Sequence, residues 1–187
     1  MIQGLADSIR EKGLARTQVS DIVARAQASR TTFYRCFDDK SACLAALAEV
    51  VFTITRERVL SAVDPAARWQ EQVDQGVDAF FEIAESDHAL AATFTTELPG
   101  LGARGEEIRL AREQQYAEMI VAFASGRPRA GREGDFSHVT IERAVMLVAG
   151  IEGLLSRAVQ QDQDFRAYAP TAKDVARRIL APAGGQA

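Results

Sequence analysis

The sequence predicts an all-α protein in which a small N-terminal helix-turn-helix domain precedes a larger helical domain. Apolar residues recur every three or four positions along most of the 187 residues, as they do on the buried face of a helix. No segment of useful length alternates between apolar and polar residues as a half-buried strand would. Two short helical segments between Ser20 and Lys40, joined by three small residues, have the lengths of a helix-turn-helix motif.

Helical spacing and capping residues place the first four helices. The first runs from Ile2 past Ile9 and should end at Gly13, since a glycine just after a helix readily ends it. The next three should begin at short side chains that accept a backbone hydrogen bond, namely Thr17, Ser29, and either Asp38 or Asp39. The fourth helix is expected to bury one apolar stripe, formed by Leu44, Leu47, Val51 and Ile54.

The remainder of the chain is predicted to form five more helices. Their approximate spans are 65–84, 87–98, 108–123, 140–159 and 171–180. The first of these should start at Asp64 and Pro65, a capping residue followed by a first-turn proline. A Pro/Gly-rich stretch at 99–102 should break the second helix, and the Gly, Arg and Pro residues of 125–135 should form a loop.

The third helix carries the most informative side chains. Phe33 and Phe37 lie four residues apart and should point into a small core. The residues that then face away are Arg30, Thr31, Tyr34 and Arg35. Their guanidinium and hydroxyl groups can reach phosphates and the acceptor edges of bases in a major groove.

The segment 13–47 resembles the N-terminal region of the tetracycline-repressor (TetR) family of transcriptional regulators. The matching residues stand at fixed spacing, namely Gly13, Thr17, Val19, Ser29, Phe33, Tyr34, Phe37 and Lys40. The turn departs from the family pattern, because Ala26, Gln27 and Ala28 replace Ala-Gly-Val. Gln27 is therefore expected to adopt a left-handed conformation at some strain, or to reshape the turn.

The resemblance implies a ligand-responsive dimeric transcriptional regulator, a repressor that binds a palindromic DNA operator and is released by a small, largely apolar effector. It implies a DNA-binding domain over 1–47, whose fourth helix continues to about residue 60, and an effector-binding and dimerisation domain over 48–187. The residues implied to face DNA or to grip its backbone are Thr17, Ser29, Arg30, Thr31, Thr32, Tyr34, Arg35 and Lys40. For Lys40, the alternative is a solvated side chain beside Asp38 and Asp39.

The resemblance also implies an effector cavity between helices of the larger domain. Aromatic and sulfur-bearing residues are spread over those helices, with a few polar groups suited to orient a ligand. The candidates are Trp69, Phe80, His88, Phe94, Tyr116, Met119, Phe123, Arg143 and Met146. At helical spacing, plain core packing is the alternative for each of them.

The segment 140–159 carries apolar residues over more than one stripe, with Gly150 and Gly153 among them. One face can pack on its own domain, while small residues on another allow a partner helix to approach. The resemblance implies a homodimer through the last two helices, which would hold two recognition helices roughly 34–36 Å apart, the spacing of successive major grooves. The alternative is a helix wholly buried within one chain.

The sequence gives little support for an enzyme, a metalloprotein or a membrane protein. Neither histidine lies in a nucleophile motif, no glycine-rich phosphate loop occurs, and the two cysteines and two histidines form no zinc pattern, so we expect no enzyme, cofactor or metal. Without a membrane-spanning run or a signal peptide, a cytoplasmic protein with no membrane partner is expected. The alternative function is a helical protein-protein adaptor that has lost its operator, because the turn lacks its glycine and the basic excess up to Leu60 is small.

Overall fold

A computed structural model describes residues 1–126 and 136–181, which form helices joined by short connections and contain no strand. The all-α prediction is confirmed. The α-helices of these two ranges are α1 (Ile2–Lys12), α2 (Val19–Arg25), α3 (Arg30–Cys36), α4 (Lys40–Ala62), α5 (Trp69–Ser86), α6 (His88–Ala92), α7 (Ala103–Ser125), α8 (Ile141–Gln161) and α9 (Ala169–Leu180). A 3-10 turn, Phe165–Tyr168, precedes α9.

The chain packs as two compact units. The first unit comprises Met1–Thr53 and Asp87–Arg112, and the second comprises Ile54–Ser86 and Glu113–Ala187. The first unit thus contains the helix-turn-helix together with a segment from the middle of the chain. The divisions fall inside α4 and inside α7, so each of these long helices contributes residues to both units.

Apolar side chains from the first four helices form the core of the first unit. Leu5, Ile22, Phe33 and Leu44 are fully buried in it. Helices α1 and α2 pack closely, because a Cβ atom at Gly4 would lie 2.6 Å from the carbonyl oxygen of Ile22. The small residue at position 4 therefore permits the approach of α2 on which the helix-turn-helix depends.

Three of the predicted helix ends are confirmed. Gly13 follows α1 with a φ of 79°. The Ser29 Oγ accepts a hydrogen bond from the Thr32 N–H at 3.0 Å, which caps α3. The Asp39 Oδ1 accepts one from the Ala42 N–H at 2.7 Å, which selects Asp39 over its neighbour as the cap of α4.

The predicted cap of α2 at Thr17 is wrong. Gln18 holds the N-cap position and forms a capping box with Asp21, whose Oδ2 accepts from the Gln18 N–H at 2.7 Å. The hydrogen-bonded Lys12 ammonium, 2.7 Å from the carboxylate, and the Gln18 N–H both lower the pKa of Asp21. Thr17 is unavailable as a cap because its hydroxyl points into the first unit.

Two details of α4 and α5 differ from prediction. Ile54 is 45% exposed and Thr55 takes the buried position, since a repeat of 3.6 residues from Leu44 arrives at residue 55. Helix α5 begins at Trp69, because Asp64 caps a separate turn by accepting from the Ala66 N–H.

The predicted break at 99–102 is a change of helix type. A π-helical stretch, Thr93–Glu97, passes into a 3-10 turn, Leu98–Leu101, before α7 begins. Within this stretch the Glu97 carboxylate accepts hydrogen bonds from the Thr93 hydroxyl at 3.0 Å and from the Ala15 N–H at 3.1 Å. The stretch is therefore tied to the α1–α2 connection of the same unit.

In the second unit, α9 packs along α5. Ion pairs join Lys173 to Asp78 at 2.6 Å and Arg177 to Asp74 at 3.4 Å. Between these pairs Ala176 is fully buried, which allows the two helices to lie close together.

The predicted loop at 125–135 lies largely outside the described residues. Within those residues, no helix is long and apolar enough to cross a membrane. No group of three or more His, Cys, Asp or Glu side chains in the same ranges is arranged to hold a metal ion.

Candidate functional site

The turn between α2 and α3 is built around a left-handed residue. Gln27 has a φ of 49°. The N–H of Gln27 donates to the carbonyl of Ala24 at 3.3 Å, and the N–H of Ala28 donates to that of Val23 at 2.9 Å. These are the two hydrogen bonds of a Schellman motif, in which glycine usually holds this position. Of the two alternatives that the sequence left open, the structure has the left-handed Gln27, and the turn forms without a glycine.

One side of α3 is fixed by aromatic packing. Phe33 is fully buried, and its ring centroid lies 5.7 Å from that of Phe37. The ring of Tyr34 meets Phe33 edge to face, at 5.3 Å and 87°. Ser29 caps the helix and also shares a 2.9 Å hydrogen bond with the Thr32 hydroxyl. The core thus determines which side of this seven-residue helix faces outward.

The other side of α3 carries the donors that the sequence singled out. Its exposed side chains are Arg30, Thr31, Thr32, Tyr34 and Arg35. Tyr34 is 57% exposed although it is aromatic. Neither Arg30 nor Arg35 is ion-paired with a carboxylate in the described part of the chain. Two guanidinium groups therefore lie on an exposed face with no intramolecular counter-charge among these residues.

Thr17 and Lys40 are placed differently from the other predicted DNA contacts. Thr17 is 1% exposed, and its hydroxyl donates to the Gly13 carbonyl at 2.8 Å and lies 3.0 Å from the Ser8 hydroxyl. The half-buried Lys40 ammonium donates to the carbonyls of Leu14 at 3.0 Å and Thr17 at 2.9 Å. Neither side chain points freely outward. Both hold the α1–α2 connection, and Lys40 attaches it to the start of α4.

The second unit contains a cavity of about 120 Å³. Side chains of α4, α5, α7, α8 and α9 contribute to its wall. The predicted effector residues that line it are Phe80, Tyr116, Met119 and Phe123. The rings of Phe80 and Tyr116 meet edge to face, with centroids 5.8 Å apart. All described lining residues belong to the second unit, so the cavity lies within one compact body.

Three other predicted effector residues lie away from the cavity wall. The ring of Trp69, at the start of α5, packs edge-on against Phe136 at 6.0 Å. His88 is an exposed residue of the first unit. Phe94 is buried in the core of that unit, where the Arg112 guanidinium lies 4.9 Å from its ring centroid. Sequence spacing placed these side chains on helices but did not determine which unit or face would receive them.

The last two predicted effector residues lie on the exposed face of α8. Arg143 is exposed, and Met146 is 69% exposed. Gly150 and Gly153 continue this face, and a Cβ atom at either glycine would meet no atom within 4 Å. We call these four residues the α8 outer face, in which Met146 and the two glycines give small and apolar surface beside the charged Arg143.

The cavity wall also contains residues that the sequence analysis did not single out. Most are aliphatic, and the polar ones are Gln72 and Glu152. Gln72 lies three residues after Trp69 and one turn before Gly76, within the buried stripe of α5. A polar residue in an apolar stripe was the signal available in the sequence.

Comparison with known proteins supports the family resemblance of the N-terminal region. Residues 2–47 match the model of the bacterial regulatory proteins of the tetR family. The uncharacterized HTH-type transcriptional regulator YvdT of Bacillus subtilis (strain 168) is 32% identical over 85 residues. The findings support a TetR-family transcriptional regulator, with the family match confined to residues 2–47. The aligned part is 46% of this chain and 44% of YvdT, so the chain spans less than half the length of that relative.

Solved structures extend the likeness in fold over nearly the whole chain. The regulator FadR from Bacillus subtilis, in complex with stearoyl-CoA, has a TM-score of 0.71 and 20% identity over 96% of each chain. A TetR transcriptional regulator from Rhodococcus sp. RHA1 has a TM-score of 0.71 and 15% identity, over 98% of this chain and 94% of that one. At these identities the likeness shows the fold.

Proposed function

We propose that this TetR-family chain is a dimeric transcriptional repressor that binds a palindromic DNA operator through α3. A small, largely apolar effector enters the cavity of the second unit and releases the DNA. The exposed face of α3 carries this proposal, because it presents two guanidinium groups that have no counter-charge among the described residues, beside three hydroxyl-bearing side chains. Such donors match phosphate oxygens and the acceptor edges of bases.

The fixed orientation of α3 supports separate roles for its residues. Tyr34 is held edge-on by Phe33 and is the best candidate for a phosphate contact, since its hydroxyl extends from a rigid ring. Arg35 lies one residue further along the exposed side and is assigned to base reading, because a guanidinium can bond both acceptors of guanine. We assign structural roles to Lys40 and Thr17, and their hydrogen bonds to backbone carbonyls support this assignment.

The size of the cavity limits the effector. An engineered apolar cavity of about 150 Å³ holds a benzene molecule. At about 120 Å³, the present cavity admits an effector of about one small ring unless its wall moves. The stearoyl-CoA of the Bacillus subtilis FadR complex has a chain of eighteen carbons and is much larger. We therefore propose that the part of the effector held in this cavity is about the size of one small ring.

The α8 outer face supports the dimer. Met146 is largely exposed, and the two glycines leave open space into which a partner helix can fit. On α9, Val175 is also 41% exposed. Gly153→Arg should convert the dimer to a monomer in sedimentation velocity. The matched control Gln114→Arg, on the exposed side of α7, should stay dimeric. A wild-type monomer, or a dimeric Gly153→Arg protein, would oppose this interface.

Effector release follows from linkage. An effector that binds more tightly to a conformation with different spacing of the recognition helices must weaken DNA binding by the same factor. Helices α4 and α7 run continuously through both units, with Val59 and Tyr116 in the cavity wall. We assign the connection between effector and DNA sites to these two helices.

Fluorescence anisotropy with tiled DNA from around the gene tests the proposal. One tile should bind about a thousandfold more tightly than a random duplex. Equal binding to every tile, weakening together as salt rises, would remove sequence-specific DNA binding from the proposal and favour an adaptor.

Two variants then test the residue roles on the preferred tile. Tyr34→Phe should weaken binding to all sequences by a similar factor, because only a phosphate contact is lost. Arg35→Ala should change which base is preferred at one position. Sequence-independent losses of equal size from both variants would contradict the base-reading role of Arg35.

A further inference from the structure

Resting on the proposed function, we infer that the effector presents one hydrogen-bond donor to the side-chain oxygen of Gln72. The cavity therefore selects small alcohols, phenols or N–H-bearing molecules over hydrocarbons and over ligands that only accept hydrogen bonds. The basis is a buried acceptor that the described residues of the protein leave without a hydrogen bond.

The orientation of the Gln72 amide is set by the connection between α4 and α5. Its Nε2 donates to the carbonyl of Ala67 at 2.8 Å and to that of Pro65 at 3.3 Å. A carbonyl only accepts hydrogen bonds, so the amide nitrogen, and not the oxygen, must face this connection. The amide cannot reverse without placing its oxygen against two other oxygens.

The Gln72 Oε1 is consequently a fixed acceptor. The side chain is 1% exposed, and Oε1 is buried and accepts no hydrogen bond from the described residues. Gln72 lines the cavity. A buried polar atom without a partner costs free energy, which a ligand recovers if it brings a donor to that atom.

The rest of the wall is unsuited to an anionic ligand. Near Gln72 on α5, the lining residues include the aliphatic Val73 and Val77. Among the described lining residues, the one charged side chain is the acidic Glu152. A carboxylate would be desolvated in this cavity with no cationic partner in its described wall. A neutral donor meets neither difficulty.

Three ligands of similar size separate the possibilities. Benzyl alcohol carries a donor, benzaldehyde carries only an acceptor, and ethylbenzene carries neither. In calorimetric titration of the wild-type protein, benzyl alcohol should bind about tenfold more tightly than benzaldehyde, as expected when one of two ligands satisfies a buried acceptor. This comparison needs no variant and so does not depend on the folding of one.

Two variants locate the effect. Gln72→Leu keeps a similar volume and removes the acceptor, so the preference for benzyl alcohol over benzaldehyde should vanish and ethylbenzene should gain affinity relative to both. Val73→Ala, one residue along the same wall, should alter all three affinities together and leave their ratios unchanged. Unfolding curves with and without ethylbenzene confirm that each variant still folds and binds.

The outcomes distinguish this inference from the function on which it rests. A tenfold preference that Gln72→Leu abolishes supports the inference. Binding of all three ligands without that preference, or a preference that survives in Gln72→Leu, overturns the inference and leaves an apolar effector site in place. Failure of all three ligands to bind the wild-type protein overturns the inference together with the proposed effector cavity.

Discussion

Replacing Lys40 with methionine separates a structural role from a DNA-binding role. The Lys40 ammonium donates to the carbonyls of Leu14 and Thr17, which are 26 and 23 residues earlier in the chain. Both acceptor residues are 1% exposed. Lys40→Met keeps most of the aliphatic stem and removes both charged hydrogen bonds. The variant therefore tests whether this lysine holds the α1–α2 connection onto α4.

The expected loss of stability follows from the geometry. A hydrogen bond to a charged group contributes about 1.5–3 kcal/mol. Because Lys40 is half-buried and keeps some contact with water, we take the lower end of that range for the pair, about 2 kcal/mol in the free energy of unfolding. In a protein of this size that loss lowers Tm by about 4–8 °C.

Urea unfolding at one fixed protein concentration measures the change, and a salt series of DNA titrations measures phosphate contacts. Lys40→Met should lower the free energy of unfolding. It should leave unchanged the salt slope, which is the slope of the logarithm of the DNA-binding constant against the logarithm of the salt concentration. The matched control Arg30→Met, on the exposed face of α3, should show the reverse, with unchanged stability and a salt slope smaller by about one. If Lys40→Met instead keeps its urea midpoint and loses salt slope, the structural assignment is refuted.

Three further perturbations have expected outcomes. Gln27→Gly removes the steric strain of a side chain at a φ of 49°, but it also gives the unfolded chain more conformational entropy. The free energy of unfolding, measured by urea titration, should therefore rise by only up to about 1 kcal/mol. A decrease would argue against strain in the turn. Gly4→Ala brings a Cβ to 2.6 Å from the Ile22 carbonyl oxygen and should cost about 1–3 kcal/mol, whereas an unshifted urea midpoint would contradict the close approach of α1 and α2. Burial raises the pKa of the Cys43 thiol from 9.0 to about 11. The contribution of this neutral thiol to the free energy of unfolding is therefore complete below pH 9 and declines as the pH rises towards 11. A thiol reagent at about pH 8 should therefore label the exposed Cys36 at once and Cys43 only on unfolding, and equal labelling rates would show that Cys43 is not protected.

Local signals were sufficient to predict α3 and the turn before it. Ser29 and Phe33 act within one helical turn of their partners, so capping rules and spacing predicted both. The left-handed conformation of Gln27 was also predictable, since a Schellman motif requires it whatever residue stands there.

The orientation of Lys40 and the identity of the cavity residues depend on contacts with residues far away in the chain. Whether Lys40 points to DNA or to the protein depends on carbonyls more than twenty residues away, which periodicity does not reveal. The cavity residues depend on the rotation of five helices about their axes. Sequence spacing thus made Tyr116 and Phe94 equally good candidates for the effector cavity. In the structure Tyr116 lines the cavity, whereas Phe94 is buried in the core of the first unit.

The coupling between the DNA site on α3 and the cavity in the second unit is the central claim, and one reciprocal titration tests it. The affinity of the preferred DNA tile is measured with and without saturating benzyl alcohol, and the affinity of benzyl alcohol is measured with and without that DNA. We predict that both affinities fall by the same factor, within roughly 5–150-fold. An operator affinity that stays unchanged when the cavity is filled would contradict the account.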